Sequence, residues 1–316
     1  MQKIPTLSLL LALGALVVLP AVNGQATSLS IAPDQGINAA MSNIKPDSGI
    51  GTSSFKVTYS FTQVYQPAVG AVATSITVNV GATCDNPNAL TNLPPNVVMT
   101  LTPSSSGTGV KNTFTSDAIP ISVAISKDAP GLKKINCQIT ASVPAAGPSQ
   151  VTTQADASPA KFFASADYFP LIQAKISNKI DEAGPQKSIP FQIELTNFGN
   201  AQTKIRFQLA TTDVGKWNPV LPDTLTLDSV SSGGGTTKDT AGFNVATPFH
   251  NGWNNDEKSF QITMTPIATQ DETRVGTPID ATVLARVRGI YVPGFESVTM
   301  LLAVLGVGLV ARIRNV

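Results

Sequence analysis

"SITVNVGATCDNPNALTNLPPNVVMTLTPSSSG", residues 75–107, has a counterpart later in the chain, "KIRFQLATTDVGKWNPVLPDTLTLDSVSSG", residues 204–233. Each stretch runs through an alternating strand, a polar loop, a Leu-Pro pair, a second alternating strand and a Ser-Gly turn. Leu93-Pro94 falls on Leu221-Pro222, and Met99 and Leu101 fall on Leu225 and Leu227. Further on, Gln138-Ile139-Thr140 falls on Gln261-Ile262-Thr263. A self-match sustained over most of both halves means two copies of one module in tandem.

The pattern inside each copy identifies the module. "FKVTYSFTQVY" (55–65) puts Phe55, Val57, Tyr59 and Phe61 on one face, and "SITVNVGA" does the same with Ile76, Val78 and Val80. "IPISVAIS", "KKINCQITASV", "SIPFQIELTN", "TKIRFQLATT", "KSFQITMTP" and "ATVLARVRG" alternate in the same way, each bounded by Gly, Pro, Asn or Ser. Period-2 strands of this length between turn residues predict β-sandwiches. "SSGGGTTKD" (231–239) reads as a flexible loop within the second copy.

Composition agrees. Only 13% of the residues are Asp, Glu, Lys or Arg, and the formal net charge is +1. A nucleic-acid partner needs a concentrated basic face, so that class is excluded. The polar share is carried by Ser, Thr, Asn, Gln, Gly and Pro, which suits an extracellular all-β chain.

"MQKIPTLSLLLALGALVVLPAVNGQA" (1–26) has one early lysine, an apolar run from Leu7 to Leu19 and then small residues. That is the layout of a secretory signal, with cleavage expected after Gly24 or Ala26; a buried or uncleaved helix is the alternative. In an exported chain the two cysteines, Cys84 and Cys137, read as a disulfide rather than as two free buried thiols. The repeat places Cys84 near Asp213 and Cys137 on Phe260, so the first copy is expected to carry a bridge where the second carries a buried aromatic ring. The Pro-, Ala- and Ser-rich stretch 143–163 marks the boundary between the copies. The chain thus divides into a signal (1–24), a first sandwich (25–160), a second (161–291) and a tail (292–316).

In "IPFQIELTNFGNAQTKIRFQL" (189–209), Asn197-Phe198-Gly199-Asn200 separates two alternating strands, and Trp217 follows with a Pro-rich turn. This resembles the immunoglobulin-like repeat domains of archaeal cell-surface and S-layer-like proteins. The resemblance covers about Leu171 to Arg288 and, through the repeat, extends to the first copy. It implies an all-β fold of two tandem immunoglobulin-like sandwiches, which the apolar runs at the two ends of the sequence flank with an N-terminal signal helix and a C-terminal hydrophobic helix. From the residues alone, Gly199 and Asn200 read as the positive-φ positions of a tight hairpin turn.

The tail "YVPGFESVTMLLAVLGVGLVARIRNV" (291–316) has an apolar run from Ser297 to Ala311. As a helix it would reach roughly 22 Å, short of a hydrocarbon core about 30 Å thick. Arg312 and Arg314 would hold its end on the cytoplasmic side and leave the sandwiches outside. Pro293-Gly294-Phe295, the apolar run and the arginines together resemble the PGF-CTERM sorting signal of archaeal surface proteins. That resemblance implies recognition at Pro293, Gly294 and Phe295 by a sorting enzyme of the archaeosortase type, with a lipid anchor replacing the tail. A retained membrane helix and a buried core helix are the other readings.

No catalytic device stands out. The one histidine, His250, has no nucleophile elbow near it in sequence, and its ordinary reading is an exposed loop residue. Asn251, Asn254, Asn255, Asp256 and Glu257 offer oxygens without the spacing of a calcium loop, so a solvated loop is expected. No cofactor or metal follows from the sequence. The expectation is a non-catalytic, cell-surface protein attached through its C-terminus, with a structural or adhesive role and with the membrane, other envelope proteins or itself as partners. Two rivals are a carbohydrate-binding module stacking sugars on Trp217 and Trp253 and a secreted hydrolase built on His250.

Overall fold

The computed structural model describes residues 27–62, 74–102, 109–144, 154–249 and 252–290. They divide into two compact units, one of residues up to 126 with 133–167, the other of residues from 168 with the 127–132 loop.

The first unit contains β1 (Thr27–Pro33), β2 (Ile50–Thr62), β3 (Thr74–Cys84), β4 (Ala89–Asn92), β5 (Asn96–Leu101), β6 (Lys111–Thr115), β7 (Ile119–Ile125), β8 (Lys134–Val143), β9 (Ala155–Asp156) and β10 (Ala160–Ser165). One sheet runs β1-β2-β7-β4 with β6 also on β2, and the other runs β10-β8-β3-β5 with β9 on β8. The second unit contains β11 (Ile172–Ile176), β12 (Ile180–Ala183), β13 (Ser188–Asn197), β14 (Thr203–Leu209), β15 (Asn218–Val220), β16 (Thr224–Leu227), β17 (Lys238–Ala246), β18 (Trp253–Ala268) and β19 (Ile279–Ile290). Its sheets run β11-β13-β17-β15 and β12-β19-β18-β14-β16.

The two topologies follow one plan: β1, β2, β3, β4, β5, β8 and β10 correspond to β11, β13, β14, β15, β16, β18 and β19, and β6 with β7 to β17, while β9 has no counterpart. In both, the strand after the central pair crosses to the first sheet (β4 on β7, β15 on β17), and the next returns to the second (β5 on β3, β16 on β14). The repeat holds at the level of register: Ile76 faces Met99, and Ile205 faces Leu225. Each unit also has a parallel closure at its end, on the last strand β19 in the second and just past β10 in the first. Ile180–Ala183 pair with Leu284–Val287, and Ile44 bridges Ala166.

Alternation in sequence becomes two-sided burial in structure. Phe55, Val57, Tyr59 and Phe61 are all buried, as are Ile76, Val78 and Val80, and so are Met99, Leu101, Ile121, Val123, Ile139 and Phe162 of the same unit. In the second, Phe191, Phe243, Phe260 and Trp217 pack with Ile205, Ile262 and Val283. Trp217 meets Phe260 edge-on at 6.1 Å between centroids, and Phe243 meets Phe260 in the same way. Edge-on contacts of this kind add to the area term by aiming ring hydrogens at ring faces.

A bulge also distinguishes the copies. Phe55 faces Ile119 but Thr58 faces Thr115, so residues 116–118 stand opposite 56 and 57. This is a bulge, which splits into β6 and β7 the strand that is continuous as β17 in the second unit. Ser116 absorbs it: its N–H donates to Val57 O at 2.9 Å, and its hydroxyl accepts from Val57 N at 3.0 Å.

Candidate functional site

Cys84 and Cys137 are bonded, and they are direct partners on the neighbouring strands β3 and β8. The bridge therefore staples two strands of one sheet. It does not join the two sheets. Cys137 is buried and Cys84 half-buried, beside Thr83, Asp85, Asn136, Gln138 and Lys161. The register also revises the expected counterpart in the second unit. Cys84 lies eight residues after Ile76, as Asp213 lies eight after Ile205. Leu209 faces Ile262, so extending that ladder sets Asp213 opposite Lys258, two residues before the Phe260 that sequence matching gives. Lys258 Nζ donates to Asp213 Oδ2 at 3.0 Å. An ion pair holds in one copy the place that a covalent bond holds in the other, while Phe260 fills the core beside it.

The Asn-Phe-Gly-Asn stretch is not a hairpin. The strands it joins, β13 and β14, belong to different sheets, and neither Gly199 nor Asn200 has a positive φ. The stretch is a crossover built on buried asparagines. Asn197 Nδ2 donates to the carbonyls of Ala201 at 3.0 Å, Asp228 at 3.1 Å and Leu227 at 3.4 Å, while its Oδ1 accepts from Gly199 N at 2.9 Å. Asn200 Oδ1 accepts from Phe169 N at 2.8 Å. Gly199 is needed for close approach: a Cβ there would lie 2.5 Å from Phe169 O.

The segment after β16 is pinned where the sequence suggests a flexible loop. A single 3₁₀ turn, Val230–Ser232, is capped by Ser229, whose hydroxyl accepts from Ser231 N at 3.1 Å and donates to Gly199 O at 2.6 Å. Asp228 gathers the rest, accepting from Gln202 Nε2 at 2.6 Å, Gly235 N at 3.0 Å and Thr236 N at 3.2 Å. The Gln202 bond foremost, with the two backbone donors, holds the Asp228 carboxyl below the ordinary aspartate range. Asp213 is lowered by its bond to Lys258, and Asp271 by its bonds to Thr273. Carboxyls whose folded pKa is depressed add stability that is complete above the unfolded pKa and is lost as pH falls through the folded one. The melting temperature of the second unit is therefore expected to hold from neutral pH down to about 5 and to drop below about pH 4. Asp228→Asn should flatten part of that drop, as read by thermal melts at stepped pH.

The Asn-rich stretch near His250 is also a correction. Residues 254–257 lie within strand β18, not a loop. Successive side chains point to opposite faces, so Asn254 and Asp256 cannot converge with Asn255 and Glu257 on one cation. Asn254 is fully buried and its Nδ2 donates to Gly252 O at 3.1 Å and Gly289 O at 3.4 Å. Among the described residues no group of three metal-ligating side chains occurs. His250 and Asn251 lie outside the described residues, as do Pro293, Gly294, Phe295, Arg312 and Arg314. Among the described residues no helix is long and apolar enough to cross a membrane.

The tryptophans separate. Trp217 is 7% exposed and belongs to the core, so it cannot stack a sugar; Trp253 is 64% exposed. A two-tryptophan platform is thereby ruled out. In the first unit, a groove of about 740 Å³ opens between β5 and the bulged β6–β7, lined by Val98, Thr100, Phe114, Ser116, Asp117 and Pro120.

No family model matches the sequence, and no curated protein matches it. Among solved structures, the enterotoxigenic E. coli adhesin CfaE is 10% identical, over 84% of this chain and 87% of that one, with a TM-score of 0.31. Domains 4 and 5 of the S-layer protein SbsC are 12% identical, over 53% of this chain and 69% of theirs, with a TM-score of 0.23. A PapD-like domain of human CEP192 is 12% identical, over 38% of this chain and 86% of that one, with a TM-score of 0.26. The sandwich architecture is read from the strand pairings themselves.

Proposed function

We propose that this chain is a non-catalytic cell-surface protein with a structural or adhesive role in the cell envelope, exported through its N-terminal segment and attached to the membrane through residues 292–316. The observation that carries this reading is the Cys84–Cys137 disulfide. Such bonds persist in oxidising compartments, and here one lies in a chain that opens with an export-signal pattern. On this reading the tail is read at Pro293, Gly294 and Phe295 by a sorting enzyme of the archaeosortase type and exchanged for lipid. Contacts with other envelope proteins, or with further copies, fall to the open sheet edges and the loops. The groove beside β5 lies between two such edges.

Intact-mass measurement on protein taken from the envelope tests this. The expected species lacks the first 24–26 residues, lacks the tail and carries a lipid-sized addition. Recovery from the cytoplasm at full length with both thiols reduced would overturn it. An intact C-terminus in the membrane fraction would retain the attachment and remove the exchange.

A further inference from the structure

We infer that the end of the second unit bearing Trp253 and Ile290 rests on the membrane surface, with the Trp253 indole at the boundary between headgroups and acyl chains. This rests on the proposed attachment through residues 292–316.

Trp253 and Ile290 are direct partners across β18 and β19. Antiparallel partners project from the same face, and burial shows which one. Phe260, Ile262, Val283, Ala285 and Val287 point to the core, so Trp253 and Ile290, at the opposite parity, point outward, 64% and 59% exposed. Their presentation is fixed from behind. Asn254, buried between them and the core, ties the carbonyls of Gly252 and Gly289 together, and Gly252, at φ 93°, makes the turn into β18.

Position gives this apolar pair its occupant. The chain leaves β19 at Ile290, and the apolar run begins at Ser297. The intervening stretch spans at most about 25 Å when fully extended. Neighbouring strands are about 5 Å apart, so Trp253 is held on the same short leash as Ile290. An indole is suited to that depth, since its ring is apolar and its N–H keeps a polar partner.

Charge at this end is compatible with a headgroup layer. Register places the 184–187 and 210–217 loops at the end of the unit where β19 finishes, and they carry exposed Lys187 and Lys216. Three of the nearby carboxylates have cations: Glu257 pairs with Arg286 at 3.2 Å, Glu182 with Arg288 at 3.8 Å and Asp213 with Lys258, and exposed Asp256 shares this end with the lysines. Exposed lysines close to a bilayer favour anionic headgroups. Little intrinsic affinity is needed, because a tethered group meets its site at an effective concentration in the millimolar range.

The test uses the exported chain, from Gln25 with residues 292–316 retained, in phosphatidylcholine–phosphatidylglycerol vesicles, first floated to establish attachment. The two tryptophans make its fluorescence readable. A nitroxide near the headgroup end of the acyl chains should quench the Trp253 emission and leave buried Trp217 bright. The quenched component should be missing from Trp253→Phe, a change at an exposed position that keeps the far-ultraviolet circular dichroism of the parent. Aqueous iodide should not recover access to it. If the chain floats but its emission ignores the nitroxide and is quenched by iodide, the inference is overturned and the attachment stands. If the chain does not float, the attachment reading and the inference are overturned together.

Discussion

Replacing both cysteines, as Cys84→Ala with Cys137→Ala, is expected to cost the first unit about 4 kcal/mol. The sequence separation of 53 residues sets the size of the effect. Without the bridge, the unfolded chain regains the freedom of a loop of that length, and the chain-entropy account assigns most of the loss to that state. The folded ladder loses little, because β3 and β8 remain paired along Asn79–Thr83 and Gln138–Ser142. The change should appear in calorimetry as a lower transition for the first unit with the second unmoved, and reduction of the native protein should reproduce it. Breaking the corresponding Asp213–Lys258 pair should cost much less, since an exposed ion pair is screened and does not constrain the unfolded chain. Equal losses from the two changes would contradict the chain-entropy origin.

Asn197→Ala is expected to cost the second unit about 3 kcal/mol, as the penalty for leaving buried polar groups unpaired. One side chain serves the carbonyls of Ala201, Leu227 and Asp228 and the N–H of Gly199, at a site 1% exposed. Asn197→Asp should be at least as harmful. It keeps the acceptor for Gly199 but turns an oxygen toward three carbonyls and buries a charge. Urea melts of both variants check this, with a shifted midpoint and an unchanged slope as the signature of lost stability without a changed fold.

What was legible in the sequence is what period-2 alternation encodes. Phe55 to Phe61 and Ile76 to Val80 name their own inward face, and the repeat of Met99-x-Leu101 as Leu225-x-Leu227 carries the ladder register with it. What was hidden depends on which sheet a strand joins. The polar Asn197–Asn200 stretch fits a hairpin or a crossover equally well by composition, and only the assignment of β13 and β14 to different sheets makes it the latter. Sequence matching sets Phe260 opposite Asp213 where the ladder gives Lys258, a shift of two residues that keeps every side chain on its face and so leaves no trace in the alternation. Asn254 to Glu257 read as a solvated loop because all four residues are polar. Yet β18 has a solvent face, and Asn254 is buried by hydrogen bonding to backbone carbonyls, a placement that composition does not record. The bulge at residues 116–118 needs a partner strand to be seen at all.

The parallel closure of each unit has a mechanical consequence. Early and late segments of the unit lie side by side there: Ile180–Ala183 against Leu284–Val287 in one, Ile44 against Ala166 in the other. Pulling the chain from its two ends drags such neighbours along their common axis in opposite directions. Their hydrogen bonds are then loaded in shear and must rupture together, whereas a hairpin pulled at its open end unzips one bond at a time. On the proposed attachment, drag on a tethered molecule would fall on its most resistant geometry.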